Sequence, residues 1–268
     1  MVVDMTRTGS AQAPLGGPPA AGAPSWSGWS LAGGGDARPV AEVLPPVVRE
    51  LRARDRGAHW SFLRGTGVAL WLGTTEAARG PVLAVLRAEA AARELRVDPA
   101  GEGLPGGPVE PLVEVATASS ELALDVAAAV GPAWGEDPGG SGAQATVRRH
   151  LAELVALAPE PARPAFLFHC WQSWGRPLSP AARTEAAVAA QGPSPGGRVV
   201  GSAGAWRRYL EQIDRAQLRT AADRRRPALP VLFEQATLTH NRLGVGAAVA
   251  ARAALALRTA LVTGAACG

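Results

Sequence analysis

The sequence predicts an α+β fold, a mixed or antiparallel sheet packed against helices. Three observations carry this expectation. Residues 59–72 read as two short strands around a glycine turn, several later segments place apolar residues at helical spacing, and no short-period repeat runs through the chain. With 268 residues, 47% of them hydrophobic, the chain is long enough to bury a substantial core.

Taken in order, residues 1 to about 42 read as a flexible tail rich in Gly, Pro and Ala, too poor in apolar side chains to offset its ordering entropy. Trp26, Trp29 and Leu31 are the exceptions and could dock on the rest of the protein or on a substrate. Residues 43–268 read as a single α+β domain. A short helix or turn over 40–54 is interrupted by Pro45-Pro46. A hairpin follows, with strands His59–Arg64 and Val68–Leu72 around Gly65-Thr66-Gly67. Pro81 opens a helix to about Val97, with Leu83, Leu86 and Ala90 on one stripe, and 98–109 is a Gly/Pro loop. Leu112–Ala118 has strand character; Ser119 or Ser120 then caps a helix over 121–130. After a loop at 131–142, Val147, Leu151, Leu154 and Val155 mark a helix over 143–158 that Pro159, Pro161 and Pro164 end. The apolar run 165–171 fits either a buried strand or a helix start. Residues 192–198 form a loop, a helix over 204–225 puts Trp206, Tyr209, Leu210 and Ile213 on one side, and the Ala/Leu-rich helix 246–262 suits packing against a sheet.

Charge and cysteine use narrow the function. The net charge of +4, from 27 basic residues against 23 acidic, is mild, and no RNA- or DNA-binding motif accompanies it, so nucleic acid is not expected as a partner. Cys170 and Cys267 have no metal-ligand spacing and predict no structural disulfide. No apolar run reaches membrane-spanning length and no signal-peptide core is present, which predicts a cytoplasmic protein without membrane attachment. Phosphate loops, dinucleotide fingerprints and nucleophile elbows are missing, and His59, His150, His169 and His240 lie far apart in sequence. Neither a cofactor nor a metal is expected.

The run Thr237–Val245 holds the densest chemistry. His240 can take and give a proton near neutrality. Asn241 can hold a carbonyl or a peptide N–H, and Arg242 can anchor a carboxylate or stabilise an oxyanion. Glu234 could orient a neighbour. The structural alternative has His240 and Asn241 capping the final helix and Arg242 in a salt bridge. Elsewhere, strand alternation puts Trp60, Phe62 and Arg64 on one face; with Trp71 they make either core or an aromatic wall for flat heterocycles. Tyr209, the one tyrosine, is a buried hydrogen-bond partner or a proton donor. The arginines from Arg207 to Arg226, Arg208 and Arg215 among them, form a solvated face or a docking strip for an acidic peptide.

Three segments bring a family into view: Trp60-Ser61-Phe62-Leu63-Arg64 leading through Gly67 to Leu72, Ser119-Ser120-Glu121-Leu122-Ala123-Leu124-Asp125, and His240-Asn241-Arg242-Leu243-Gly244. On these the chain resembles the thiopeptide-type bacteriocin biosynthesis family, related to the C-terminal glutamate-elimination domain of lantibiotic dehydratases. The resemblance implies that domain's fold and makes 43–268 a catalytic domain. Members that eliminate glutamate carry a Gly-x-His-Leu-Arg-Leu-Arg strand, whose His falls here on Ala69 and whose two Arg fall on Trp71 and Gly73. That departure resembles the branch of [4+2] pyridine synthases. The branch implies a dehydrated ribosomal precursor peptide with its leader as substrate, and other pathway enzymes as partners. It implies the joining of two dehydroalanines, dehydration and leader loss to form a pyridine within a macrocycle. On this resemblance His240 or Tyr209 moves protons, Asn241 or Arg242 polarises the amide, Trp60 and Trp71 stack on azoles, and Arg64, Glu234, Arg208 and Arg215 contact the peptide. The alternatives are glutamate elimination from glutamylated Ser or Thr, and a leader-binding module without chemistry.

Overall fold

The computed structural model describes residues 25–33, 37–101, 112–130, 141–192, 197–222 and 228–264. It is an α+β fold built on one four-stranded antiparallel sheet. The strands are β1 (Ser25–Ala32), β2 (His59–Arg64), β3 (Val68–Thr74) and β4 (Arg96–Gly101), in the order β2-β3-β1-β4.

The hairpin expected over 59–72 is present as β2 and β3, with Trp60 opposite Leu72 and Phe62 opposite Leu70. The N-terminal stretch differs from expectation. Ser25–Ala32, placed by composition within the 1–42 tail, form the interior strand β1, paired on one side with β3 and on the other with β4. Composition misleads there because the small residues are structural. Gly28 sits where the register with β4 shifts, and Gly73 lies under the indole of Trp26. Residues 1–24 and 34–36 of that tail lie outside the described residues.

Nine helices are described: α1 (Leu44–Arg54), α2 (Glu76–Ala91), α3 (Leu112–Val130), α4 (Ser141–Ala156), α5 (Arg163–Gly175), α6 (Pro180–Ala189), α7 (Ala203–Ala222), α8 (Ala228–Leu243) and α9 (Ala247–Thr263). A π-helical turn, Pro39–Val43, leads into α1, whose Pro45-Pro46 fall in the first turn, where missing N–H groups cost nothing. In α2, Pro81 lies inside the helix rather than at its start; the helix ends at Ala91 rather than near Val97, and Arg96–Gly101 form β4 where the helix end and the start of a loop are expected. Leu112–Ala118 is the beginning of α3, not a strand. Its β-branched alternation is overridden because Val113, Val115, Thr117, Ala118, Ser119 and Ser120 are all buried. The run 165–171 is helical, within α5. Helix α9 packs on α5, α4 and α6 rather than on the sheet.

One apolar core runs from the sheet (Leu31, Trp60, Phe62, Leu70) through α1 and α2 (Leu51, Leu86) to the helical side (Leu122, Leu151, Trp206, Leu257). No helix among the described residues is long and apolar enough to cross a membrane.

Candidate functional site

The His240-Asn241-Arg242 run lies in the last turn of α8, not in a loop before α9. Gly244 ends that helix with φ +75°, and the N–H groups of Gly244 and Val245 return to the carbonyls of Asn241 and His240. A Cβ on Gly244 would stand 3.2 Å from the guanidinium carbon of Arg64, so the glycine also lets that side chain close over the helix end.

The turn is fastened to β2, one of the two outer strands of the sheet. An outer strand exposes a row of unpaired N–H and C=O groups. Here side chains take them up. The Arg64 N–H donates to Asn241 Oδ1 at 2.8 Å, and Asn241 Nδ2 donates to the Arg64 carbonyl at 2.9 Å. Arg242 Nε donates to the Phe62 carbonyl at 3.1 Å, and the Trp60 N–H donates to Thr117 Oγ1 at 3.2 Å. Arg64 Nε returns a bond to the Arg242 carbonyl at 2.8 Å. Asn241 thus completes the ladder of β2, with its amide oxygen and one N–H engaged on the strand.

Behind that seam runs a buried line of polar groups drawn from four helices. Arg242 Nη1 donates to Ser119 Oγ (3.1 Å) and Nη2 to Ser61 Oγ (2.9 Å). Ser119 Oγ lies 2.9 Å from Thr239 Oγ1, which lies 3.0 Å from the Tyr209 hydroxyl. That hydroxyl is 2.8 Å from His150 Nε2, and His150 Nδ1 is 3.0 Å from His240 Nε2. Helical spacing accounts for each placement. His150 falls on the Val147/Leu151/Leu154 face of α4, and Tyr209 on the Trp206/Ile213/Ala216 face of α7. Inward positions of α8 mix the apolar Leu232, Ala236 and Leu243 with the polar Gln235, Thr239, His240 and Arg242, all of them buried. The polar members interrupt the apolar stripe, which is why spacing alone does not mark α8 in the sequence.

The electrostatics follow from burial. Burial holds His240 down to about 3 and, with His240 beside it, pushes His150 well below the ordinary imidazole value. It raises the Tyr209 phenol above its ordinary value, against the pull of Thr239 and Arg242, and lowers Arg242 to about 10. At neutral pH the line therefore holds two neutral imidazoles, one phenol, three hydroxyls and one guanidinium cation. Arg242 sits at the C-terminal, negative end of α8, which favours its charge. One atom stands out. His240 Nδ1 is buried and has no hydrogen-bond partner among the described residues. The ring is flanked by Trp174, with centroids 4.9 Å apart, and Trp174 stacks on Phe233 at 5.7 Å, with His169 edge-on to Phe233 at 4.6 Å.

The structure thus unites three of the expected residues, His240, Arg242 and Tyr209, and places Asn241 on the adjoining strand edge. Trp60 and Trp71 do not form a common wall. Trp60 pairs across from Leu72 and Trp71 from Ser61, so they face opposite sides of the sheet, and both are buried. Trp60 stacks on Phe62 instead. Aromatic rings at the site come from Trp174 and Phe233. Glu234 is exposed on α8. His150 carries no sequence signal, and Ser119 and Thr239 fall in segments singled out in the sequence but without a role in the site, since partners 30 to 123 residues apart meet only in the fold. His150 and His240, read as widely separated, are in direct contact. Among the described residues no group of three His, Cys, Asp or Glu converges as a metal site would.

On the outer side of α3 lies a cleft of about 420 Å³, lined in part by Arg52, Arg56, His59, Glu121, Arg208 and Gln212. Arg52 is tied to Glu121 at 2.6 Å and to the carbonyls of Arg56 and Ala58. Arg208 stands 4.0 Å from Glu121, and Arg215 is exposed and outside that lining.

Fold and site define an α+β protein in which helices α3, α4, α7 and α8 close a buried histidine–tyrosine–arginine line over a sheet edge. No known family model and no curated protein matches the chain. Solved structures do. The fold is similar to that of the tRNA-dependent lantibiotic dehydratase MibB from Microbispora sp. 107891, with a TM-score of 0.58 and 16% identity over 89% of this chain and 28% of that one. The chain therefore spans little more than a quarter of that protein's length. The pyridine synthase TbtD, from thiomuracin biosynthesis, aligns over 90% of this chain and 100% of that one, at 14% identity and a TM-score of 0.46.

Proposed function

We propose that this chain modifies a dehydrated ribosomal precursor peptide, joining two dehydroalanines by formal aza-[4+2] cycloaddition. Dehydration and loss of the leader then form a pyridine within a macrocycle. The observation that carries the reading is the buried line ending at His240 Nδ1 beside Trp174, in a fold similar to part of a lantibiotic dehydratase. Ring closure gains most from holding two alkenes in contact, which can recover roughly 7–11 kcal/mol of barrier. It then needs a hydrogen-bond donor for an amide carbonyl and aromatic surface for azoles. Neutral imidazole supplies the first, and the half-buried ring of Phe233, stacked on Trp174, offers the second.

Glutamate elimination is less well supported. It needs cations for the glutamate carboxylates, and Arg242 is engaged by Phe62, Ser61 and Ser119. The strand positions that hold the family's His and Arg are Ala69, Trp71 and Gly73 here, and the Trp26 indole comes within 2.8 Å of where a Gly73 Cβ would stand. An arginine would have no room there. The leader is assigned to the cleft beside α3, where Arg56 and Arg208 would meet its acidic side chains.

The test is incubation with a synthetic leader-bearing peptide containing two dehydroalanines, followed by mass analysis. Release of the leader as an amide, with a new pyridine absorbance, supports the cyclase. Release of glutamate from a glutamylated peptide supports elimination instead, and binding without any mass change supports a binding module. Arg56→Glu with Arg208→Glu should weaken leader affinity about tenfold or more and flatten its salt dependence.

A further inference from the structure

The polar line has a direction, set by which groups can only donate. Arg242 is a permanent donor, each hydroxyl carries one hydrogen, and each neutral imidazole carries one N–H. Arg242 gives a hydrogen to Ser119. If Ser119 then donates to Thr239, Thr239 to Tyr209, Tyr209 to His150 Nε2, and His150 Nδ1–H to His240 Nε2, every hydrogen but the last is used. The last is on His240 Nδ1, the atom without a partner. The opposite direction strands two groups. The Ser119 hydroxyl hydrogen finds no other acceptor among the described residues, and His240 Nδ1 becomes a bare lone pair in an apolar setting. A reversal at any single link also strands a hydrogen. Aligned chains of hydrogen bonds polarise one another, which strengthens the direction that starts at the cation.

We propose that His150 is a positioning residue that carries this polarity from Arg242 to His240 and fixes His240 as its Nδ1–H tautomer. His240 is then a neutral hydrogen-bond donor, not a resting base, and the ligand chemistry that matches its Nδ1–H is a peptide carbonyl oxygen. A neutral imidazole can polarise a carbonyl in this way without transferring a proton. The choice of a peptide carbonyl rests on the peptide-modifying reading above; the tautomer itself does not.

The experiment is a long-range ¹H–¹⁵N correlation spectrum of the full chain, labelled with ¹⁵N-histidine, at neutral pH. The expected result is a pyrrole-type Nδ1 and a pyridine-type Nε2 on both His240 and His150. The Nδ1–H form of His240 should exceed the other by about tenfold or more, as one additional stranded buried group, the bare Nδ1 acceptor, requires. Tyr209→Phe cuts the line and should raise the share of the Nε2–H form, while His150→Gln, whose amide can still donate to His240 Nε2, should keep Nδ1–H. A wild-type His240 protonated on Nε2 would overturn the proposal whether or not the variants fold. Turnover of the bis-dehydroalanine peptide is measured in parallel. The expected tautomer without turnover upholds the line and removes the cyclase, and turnover with the Nε2–H tautomer does the reverse.

Discussion

Acidification tests the burial of the two imidazoles most directly. In an unfolded chain each histidine takes up a proton near its ordinary value of 6.5; in the folded protein His240 does so only at about 3, and His150 well below the ordinary value. Between those values the unfolded chain binds more protons than the folded one. Stability contributed by neutral burial is therefore complete above about pH 7 and falls as pH drops through this window. At about 1.4 kcal/mol per pH unit, moving from about pH 7.5 to about pH 5 removes about 2 kcal/mol through His240 alone. His150 adds a loss of the same sign. Asp55 stays out of this range. Burial raises its pKa, but bonds from the Thr75 N–H, the Thr74 hydroxyl and the Gly57 N–H outweigh that and hold it below 3.8, so its own loss comes at lower pH. The assay is urea unfolding at matched ionic strength across that range, for the wild type and for His240→Gln. The variant should lose about 2 kcal/mol less than the wild type on acidification. Parallel pH curves for the two proteins would refute the burial of an uncharged His240.

Three further outcomes are expected from the same contacts. Asn241→Leu removes both bonds to the Arg64 backbone and should cost about 2 kcal/mol in urea unfolding while raising aggregation through the bared strand edge. Arg242→Met leaves the Phe62 carbonyl and two serine hydroxyls without their donor and should cost about 3 kcal/mol, with loss of the near-ultraviolet signature of packed aromatics. Gly67→Ala places a Cβ 2.2 Å from the Leu31 carbonyl oxygen, so β3 must shift away from β1; thermal unfolding should show a loss of about 2 kcal/mol or more, whereas Gly65→Ala, with open space around its Cβ, should cost far less.

Legibility followed the physics of each segment. The hairpin and helices α4, α7 and α9 were readable because their apolar residues repeat at strand or helix spacing against one core. Strand β1 was not, since its strand state comes from pairing on both sides, and Gly28 and Ser30 carry no propensity for it. Helix α8 was hidden for the opposite reason. Half of its inward positions are polar, breaking the apolar stripe of Leu232, Ala236 and Leu243, and their partners lie on α3, α4 and α7. The chemistry of the His240 run was therefore visible as residue types, while its geometry was not. The same holds for the roles within it. Asn241 and Arg242 look like ligand-binding groups in sequence, and the fold applies most of their hydrogen bonding to β2.

The place of β1 has a practical bearing on how this protein can be handled. A shortened version beginning at residue 43, the point where the composition changes, would lack the strand that joins the hairpin to β4. Two ladders would be left open and the core would lose Leu31. Any truncation for expression, fusion or crystallisation must begin ahead of Ser25.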